Sequence, residues 1–186
     1  MSSSTGSDRS VGLVVWLTGL SASGKSTLAN ALAAVLRAEG QTVVVLDGDV
    51  LRAGLCRDLG FSESDRIENV RRAGSVAALL AESGVICIAA LISPFASSRD
   101  AVRKQVPTGR FLEVFVDAPL EVCERRDPKG LYARARRGEV PTFTGLSSPY
   151  EPPVAAECVV RTGEISVAEA TARILEQIRR LRGGSV

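Results

Sequence analysis

The feature that most constrains this chain is the stretch Val14 to Leu32, VVWLTGLSASGKSTLANAL. An apolar run of buried-strand type stops at Gly19, a Gly/Ser loop with one lysine follows, and a helical pattern begins. Gly19 to Ser26 reads G-x-x-x-x-G-K-S, with a strand before it and a helix after it, which is the context this motif requires. Glycines let successive backbone N–H groups converge on one anion, and the helix behind them adds its positive end. Lys25 supplies a cation between the β- and γ-phosphates, and Ser26 offers a hydroxyl to Mg²⁺. The candidate ATP-binding residues are Gly19, Leu20, Ser21, Ala22, Ser23, Gly24, Lys25, Ser26 and Thr27. Whether a phosphoryl group is transferred, and to what, this loop leaves open.

The rest of the chain repeats the same alternation. Apolar, Val/Ile-rich segments at about 11–17, 42–47, 85–92, 111–117 and 157–161 read as buried strands. Helical patterns are expected at about 25–38, 63–83, 97–105, 119–126 and 167–182. Ser166 to Glu169, SVAE, has the spacing of a capping box at the start of the last one. Strand and helix in turn predict an α/β fold, a mainly parallel five-stranded sheet covered on both faces. Residues 1–10 are polar and read as a disordered lead-in, and 11–186 as one domain. Asp127 to Pro153 breaks the rhythm with few apolar residues and a basic middle; it is too long for an ordinary connection and reads as a lid or a solvated insertion.

Composition narrows the chemistry. Histidine is absent, so a general base falls to a carboxylate and a His-ligated metal site is excluded. A net charge of +2 does not argue for nucleic acid, and the longest uncharged apolar run, Val85 to Ile92, is far short of the ~18 residues a membrane span needs. Lysine is rare, occurring only as Lys25, Lys104 and Lys129. The four cysteines, Cys56, Cys87, Cys123 and Cys158, show no C-x-x-C spacing and fit a reducing cytoplasm.

In an open α/β sheet, ligands lie beyond the carboxyl ends of the strands. Asp47 and Asp49 emerge there after the second strand: one carboxylate can hold Mg²⁺ through water while the other takes a proton from an attacking hydroxyl, with Asp49 the preferred base. The bland alternative is that either one only caps the next helix. Arg66 and Asn69 are three apart on an expected helix and share a face; a guanidinium suits phosphate or sulfate, an amide a sugar or base edge. Arg71 and Arg72 read as solvated. Phe61 stands in a polar loop, either as core or as a stacking plate for a base. Ser93 followed by Pro94 looks like a helix N-cap with Pro at the first helical position, without excluding a substrate contact.

Taken in order, GLSASGKST (19–27), LDGD (46–49), RDLGFS (57–62), DRIENVRR (65–72), ISPF (92–95), FVDAPLEVCERRDPKGLY (115–132), FTG (143–145) and SPYE (148–151) resemble the adenylylsulfate kinase (APS kinase) family, from about Leu13 to Arg179. The resemblance implies the three-layer phosphate-loop nucleoside-triphosphate hydrolase-like fold. It implies transfer of the γ-phosphoryl of ATP, with Mg²⁺, to the 3′-hydroxyl of adenosine 5′-phosphosulfate. By that resemblance Lys25, Asp49 and Ser93 are the catalytic candidates, and Asp49, Arg52, Phe61, Arg66, Asn69, Ile92, Ser93, Lys129 and Phe143 meet the acceptor. Phe61 and Phe143 resemble an aromatic pair that sandwiches its adenine, Lys129 the lid lysine, and Asp47, with Ser26, the metal shell. Ser93 matches a serine described in the family as a phosphorylated intermediate; direct in-line transfer needs positioning and charge neutralisation more than a covalent relay, so Ser93 is read as a substrate contact.

The chain departs from the family pattern at Val50, Ala53, Cys56, Ala96, Ala133 and Thr142, none of them a proposed catalytic group. The resemblance further implies a separate ATP sulfurylase as substrate source and a possible homodimer. Two other readings stay open: a phosphate-loop kinase for another small hydroxyl acceptor, and a non-catalytic nucleotide-binding regulatory subunit. Retention of Lys25, Ser26, Asp49 and Arg66 argues against the second.

Overall fold

The computed structural model describes residues 12–183, so the lead-in expected at 1–10 lies outside the described residues. Among them a parallel sheet of five strands runs in the order β2-β3-β1-β4-β5, formed by β1 (Leu13–Thr18), β2 (Val43–Asp47), β3 (Ile86–Ala90), β4 (Phe111–Asp117) and β5 (Cys158–Arg161). The helices are α1 (Lys25–Ala38), α2 (Gly48–Ala53), α3 (Glu63–Glu82), α4 (Ala96–Arg103), α5 (Leu120–Arg126), α6 (Leu131–Arg136) and α7 (Val167–Gly183). The five expected strands and the five longer helices are all present. The short α2 and α6 were not expected.

β1 is central and buried along its whole length. Its side chains alternate between two cores, as the two-residue period of a strand dictates. Leu13, Val15 and Leu17 pack with Leu28, Leu32 and Leu36 of α1 and Ile174 and Ile178 of α7. Val14 and Trp16 pack on the other face with Val70, Ala73 and Ala77 of α3 and Val102 of α4. Each fully buried Leu or Ile contributes about 1.5–3 kcal/mol relative to exposure. The capping box of α7 forms: Ser166 Oγ accepts the Glu169 N–H at 3.2 Å, and Glu169 Oε2 accepts the Ser166 N–H at 2.8 Å.

The register places Leu17 beside Ala90, and Ala90 beside Asp47. The segments that leave β1, β2 and β3 therefore emerge side by side at one edge of the sheet. No helix among the described residues is long and apolar enough to cross a membrane, and all four cysteines are free and buried.

One expectation fails at the exit of β3. Ser93 does not cap α4. The helix starts at Ala96, with Phe95 in the capping position and no side-chain cap of its own. The Ala96 N–H is instead satisfied by Glu151 Oε2 at 2.7 Å, so a residue remote in sequence does the capping, and Phe95 itself is extended. Ser93 itself has φ +39°, in the left-handed region a β-carbon disfavours.

Candidate active site

The edge of the sheet opens into a cleft of about 890 Å³, at the upper end of the range for small-molecule sites and suited to two nucleotides side by side. Its floor is the phosphate loop. Gly19 has φ +151° and a β-carbon there would lie 2.5 Å from the Val116 carbonyl oxygen; Gly24 has φ +104° as the loop enters α1. Both positions require glycine. Ser21, Ala22, Gly24, Lys25, Ser26 and Thr27 line the cleft. Gly19, Leu20 and Ser23 do not: they build the loop, with the carbonyls of Gly19 and Leu20 accepting the Lys25 ammonium at 2.9 and 2.5 Å.

Lys25 is 8% exposed, and burial pulls its pKa down from 10.5 to about 8, against smaller opposing pulls from Cys123, Asp47 and Asp49. Desolvation penalises the ammonium until an anion faces it. Because the folded value lies below the unfolded one, the burden on stability is full below pH 8 and is relieved as the pH rises toward 10.5. A polyphosphate at the loop reverses the shift, so nucleotide binding takes up protons. At pH 8.5 most of one proton is expected to be taken up per nucleotide, and almost none at pH 7, read by calorimetry in buffers of different ionisation enthalpy. Equal uptake at both pH values would contradict the assignment.

Asp47 does two jobs at once. Its Oδ1 caps α2 by accepting the Asp49 N–H at 2.9 Å, and its Oδ2 accepts the Ser26 hydroxyl at 2.5 Å. The helix-capping alternative thus holds for Asp47 beside its place in the cleft. A hydroxyl and a carboxylate together, both hard oxygen donors, fit Mg²⁺, which keeps waters and phosphate oxygens for the rest of its shell.

Beyond Asp47 the wall carries Asp49, Arg52, Phe61, Arg66, Asn69, Ile92, Ser93, Lys129 and Phe143, so every residue expected to meet an acceptor lines one cleft. Asp49 sits in the first turn of α2 with its carboxylate exposed to the cleft and paired with the Lys129 ammonium. Arg66 is buried; its Nε donates to the Phe61 carbonyl at 3.0 Å and its Nη2 to the Thr142 carbonyl at 3.1 Å. Burial, then the neighbouring Arg52, lowers its pKa from the usual arginine value. The Arg52 guanidinium lies 4.3 Å from the centre of the exposed Phe61 ring, which is therefore not core. Phe143 is buried and meets Tyr132 edge-on at 4.8 Å. The hydroxyl of Ser93 accepts the Trp16 indole N–H at 3.0 Å.

Asn69 Nδ2 and Thr144 Oγ1 are buried side-chain atoms without a hydrogen-bond partner among the described residues, and both residues line this cleft. A stranded buried amide costs about 1–3 kcal/mol. That cost is removed by a ligand that bonds to it.

The segment 127–153, expected as a lid or a solvated insertion, is folded, and residues of it between Asp127 and Thr144 line the cleft. Asp127 accepts the N–H groups of Tyr132 and Ala133 at 3.1 and 3.0 Å and so starts α6. The Tyr132 hydroxyl donates to the Ser21 carbonyl at 3.1 Å, stitching the lid to the phosphate loop. Thr142 ties it to the opposite wall of the cleft by donating to the Phe61 carbonyl at 3.2 Å.

Sequence reasoning missed the other half of the cleft. Arg126, Thr162, Ile165, Ser166, Val167 and Ala170 line it beside Gly24 and Leu28, a largely apolar slot of the right kind for the base of a nucleotide whose phosphates lie on the loop. Arg126 donates to the Thr162 carbonyl at 2.5 Å, and the Thr162 hydroxyl to the Ser23 carbonyl at 2.7 Å. The available signal was an Arg directly before the lid. Arg72, expected in solvent, pairs with Asp58 at 2.7 Å and Glu68 at 2.9 Å.

Comparison with known proteins meets this geometry. The family profile described as adenylylsulphate kinase matches residues 11–161. An adenylyl-sulfate kinase of Bacillus pumilus is 56% identical over 166 residues, 89% of this chain and 84% of its own. One of Paraburkholderia xenovorans is 56% identical over 167 residues, 90% of this chain and 93% of its own. The solved Mycobacterium tuberculosis APS kinase CysC, in complex with AMPPNP and APS, superposes with a TM-score of 0.86 at 45% identity, covering 90% of this chain and 98% of that one. With a phosphate loop opening a cleft on a parallel sheet, and relatives this similar over nearly their whole lengths, the chain belongs to the adenylylsulphate kinase family of phosphate-loop kinases.

Proposed function

We propose that this enzyme transfers the γ-phosphoryl group of ATP to the 3′-hydroxyl of adenosine 5′-phosphosulfate, giving 3′-phosphoadenosine 5′-phosphosulfate and ADP. The observation that carries the reading is the cleft itself: a phosphate loop at one end, and at the other a wall of Arg66, Asn69 and Phe61 facing it across Asp49. The stranded amide of Asn69 supports a polar ligand on that wall, separate from the ATP phosphates.

The acceptor oxygen attacks the γ-phosphorus in line, its proton passes to the Asp49 carboxylate, and the bond to the β-bridging oxygen breaks with its electrons on ADP. Lys25 and Lys129 face the transferring group and offset its charge. Ser26 and Asp47 hold Mg²⁺ in this reading, which neutralises charge on the β- and γ-phosphates when bound. Arg66 faces the phosphosulfate, Asn69 the ribose, and Phe61 with Phe143 the adenine. Closure of the lid excludes water that would otherwise take the phosphoryl group. Ser93 serves as a contact at the turn, since its hydroxyl is already engaged by Trp16. The expected setting is the cytoplasm, with a separate ATP sulfurylase as substrate source.

Product analysis tests it: with ATP, Mg²⁺ and adenosine 5′-phosphosulfate, a 3′-phosphorylated product and stoichiometric ADP are expected. Turnover on another alcohol but not on this one would sink the substrate assignment.

A further inference from the structure

Arg99 and Glu113 are buried charges that do not line the cleft. Glu113 is a charge between Leu112 and Val114 in the interior of β4, and Arg99 projects onto it from α4. The Arg99 guanidinium is used on three sides. Its Nε donates to Glu113 Oε1 at 2.7 Å, its Nη1 to the Ser93 carbonyl at 2.8 Å, and its Nη2 to the Glu151 carbonyl at 2.8 Å. The second Glu113 oxygen accepts from Arg103 at 3.3 Å, and Arg103 in turn forks onto Glu157.

A buried ion pair is weak grounds for stability, because apolar residues of the same volume often serve as well. Apolar residues cannot hold two carbonyl groups. The two held here lie six and 52 residues from Arg99 in sequence; Ser93 lines the cleft, and Glu151 stands at the end of the 127–153 segment whose earlier residues line it. Ser93 is the left-handed turn at the end of β3, tied at its hydroxyl by Trp16 and at its carbonyl by Arg99. Glu151 is the root of the lid: its N–H donates to the Pro94 carbonyl at 2.8 Å and its carboxylate accepts from Ala96. Ser93, Pro94 and the lid root are thereby fixed to one another and, through Glu113, to the central sheet. The three guanidinium nitrogens reach acceptors on three separate sides in a fixed plane; an ammonium has its three donors on one nitrogen and cannot span the same spread of acceptors.

We propose that Arg99 is a positioning residue for the acceptor, joining the Ser93 turn and the root of the lid into one unit on β4. The inference rests on the reading of this wall as the acceptor site. Two variants test it in the full chain, Arg99→Lys, which keeps the charge beside Glu113, and Trp16→Phe, which removes the tie on the Ser93 hydroxyl. In steady-state kinetics Arg99→Lys is expected to raise KM for adenosine 5′-phosphosulfate about 10- to 100-fold, since small misplacements of bound groups have effects of that size. Trp16→Phe acts in the same direction and less, and KM for ATP stays within about twofold in both. A merely structural role would lower kcat with the folded fraction and leave both KM values in place; that result overturns the proposal. Should Arg99→Lys not fold, Trp16→Phe decides it on the same criterion. Inactivity of the unaltered chain on adenosine 5′-phosphosulfate would sink the substrate reading instead. The tie is then judged by tryptic cleavage of the lid at the exposed Arg136 and Arg137: about tenfold faster in Arg99→Lys supports it, and an unchanged rate overturns it.

Discussion

Asp49→Asn is expected to lower kcat for phosphoryl transfer at least about 100-fold while leaving the Kd for ATP within about twofold, because a positioned proton acceptor contributes roughly 10²–10⁴. With no histidine in the chain, the proton of the acceptor hydroxyl needs a carboxylate. Asp47 is already committed to the Asp49 N–H and the Ser26 hydroxyl, whereas Asp49 faces the cleft with a single lysine beside it. Asparagine keeps the shape and one acceptor oxygen but cannot take a proton at neutral pH. The fold is not at stake: an acidic group in the first turn of a helix is worth about 0.3–1 kcal/mol, too little to unfold a domain that is stable by several. ADP release and calorimetric titration of ATP separate the two effects. A kcat within about threefold of the unaltered enzyme would remove Asp49 as the base.

Lys25→Met is expected to lower kcat about 10³-fold, the scale on which a preset charge at a transferring group acts, and to abolish the rise in Tm that nucleotide gives the unaltered chain. The sign of its effect on the unliganded protein is the sharper part. The ammonium is buried and its pKa is depressed, so at neutral pH it burdens the empty fold. Methionine fills a similar volume without charge, and the unliganded Tm should not fall. Thermal melts with and without ATP, alongside initial rates, check both halves. A variant that melts earlier yet still transfers phosphoryl at more than a tenth of the normal rate, roughly 1.4 kcal/mol of barrier, would refute the assignment.

The large elements were legible because each carries a periodic apolar signal and a boundary residue. β1 ends at Thr18 before Gly19, and α7 starts from a Ser–Glu box, so both were placed to within a residue or two. α2 and α6 were not, since six residues are less than two turns and show no period. Ser93 was misread as a cap because the local pattern Ser-Pro is a cap signal, while the group that satisfies Ala96 comes from Glu151 in the lid. No window of neighbouring residues contains that information. The cleft was legible where motif residues carry unusual chemistry, as at Lys25, Asp49, Arg66 and Asn69. It was illegible at Thr162, Ile165 and Val167, which look like any strand-to-helix connection. Glu113 was visible throughout as a charge inside an apolar strand; what it held, Arg99, required the fold.

The hydrogen bond between Trp16 and Ser93 has an optical consequence. Trp16 is the chain's only indole, fully buried and donating to the Ser93 turn that lines the cleft. Its emission comes from one dry environment with one polar neighbour. A ligand that shifts that neighbour is expected to change the emission of the whole protein, which a fluorescence titration with each nucleotide checks without a label.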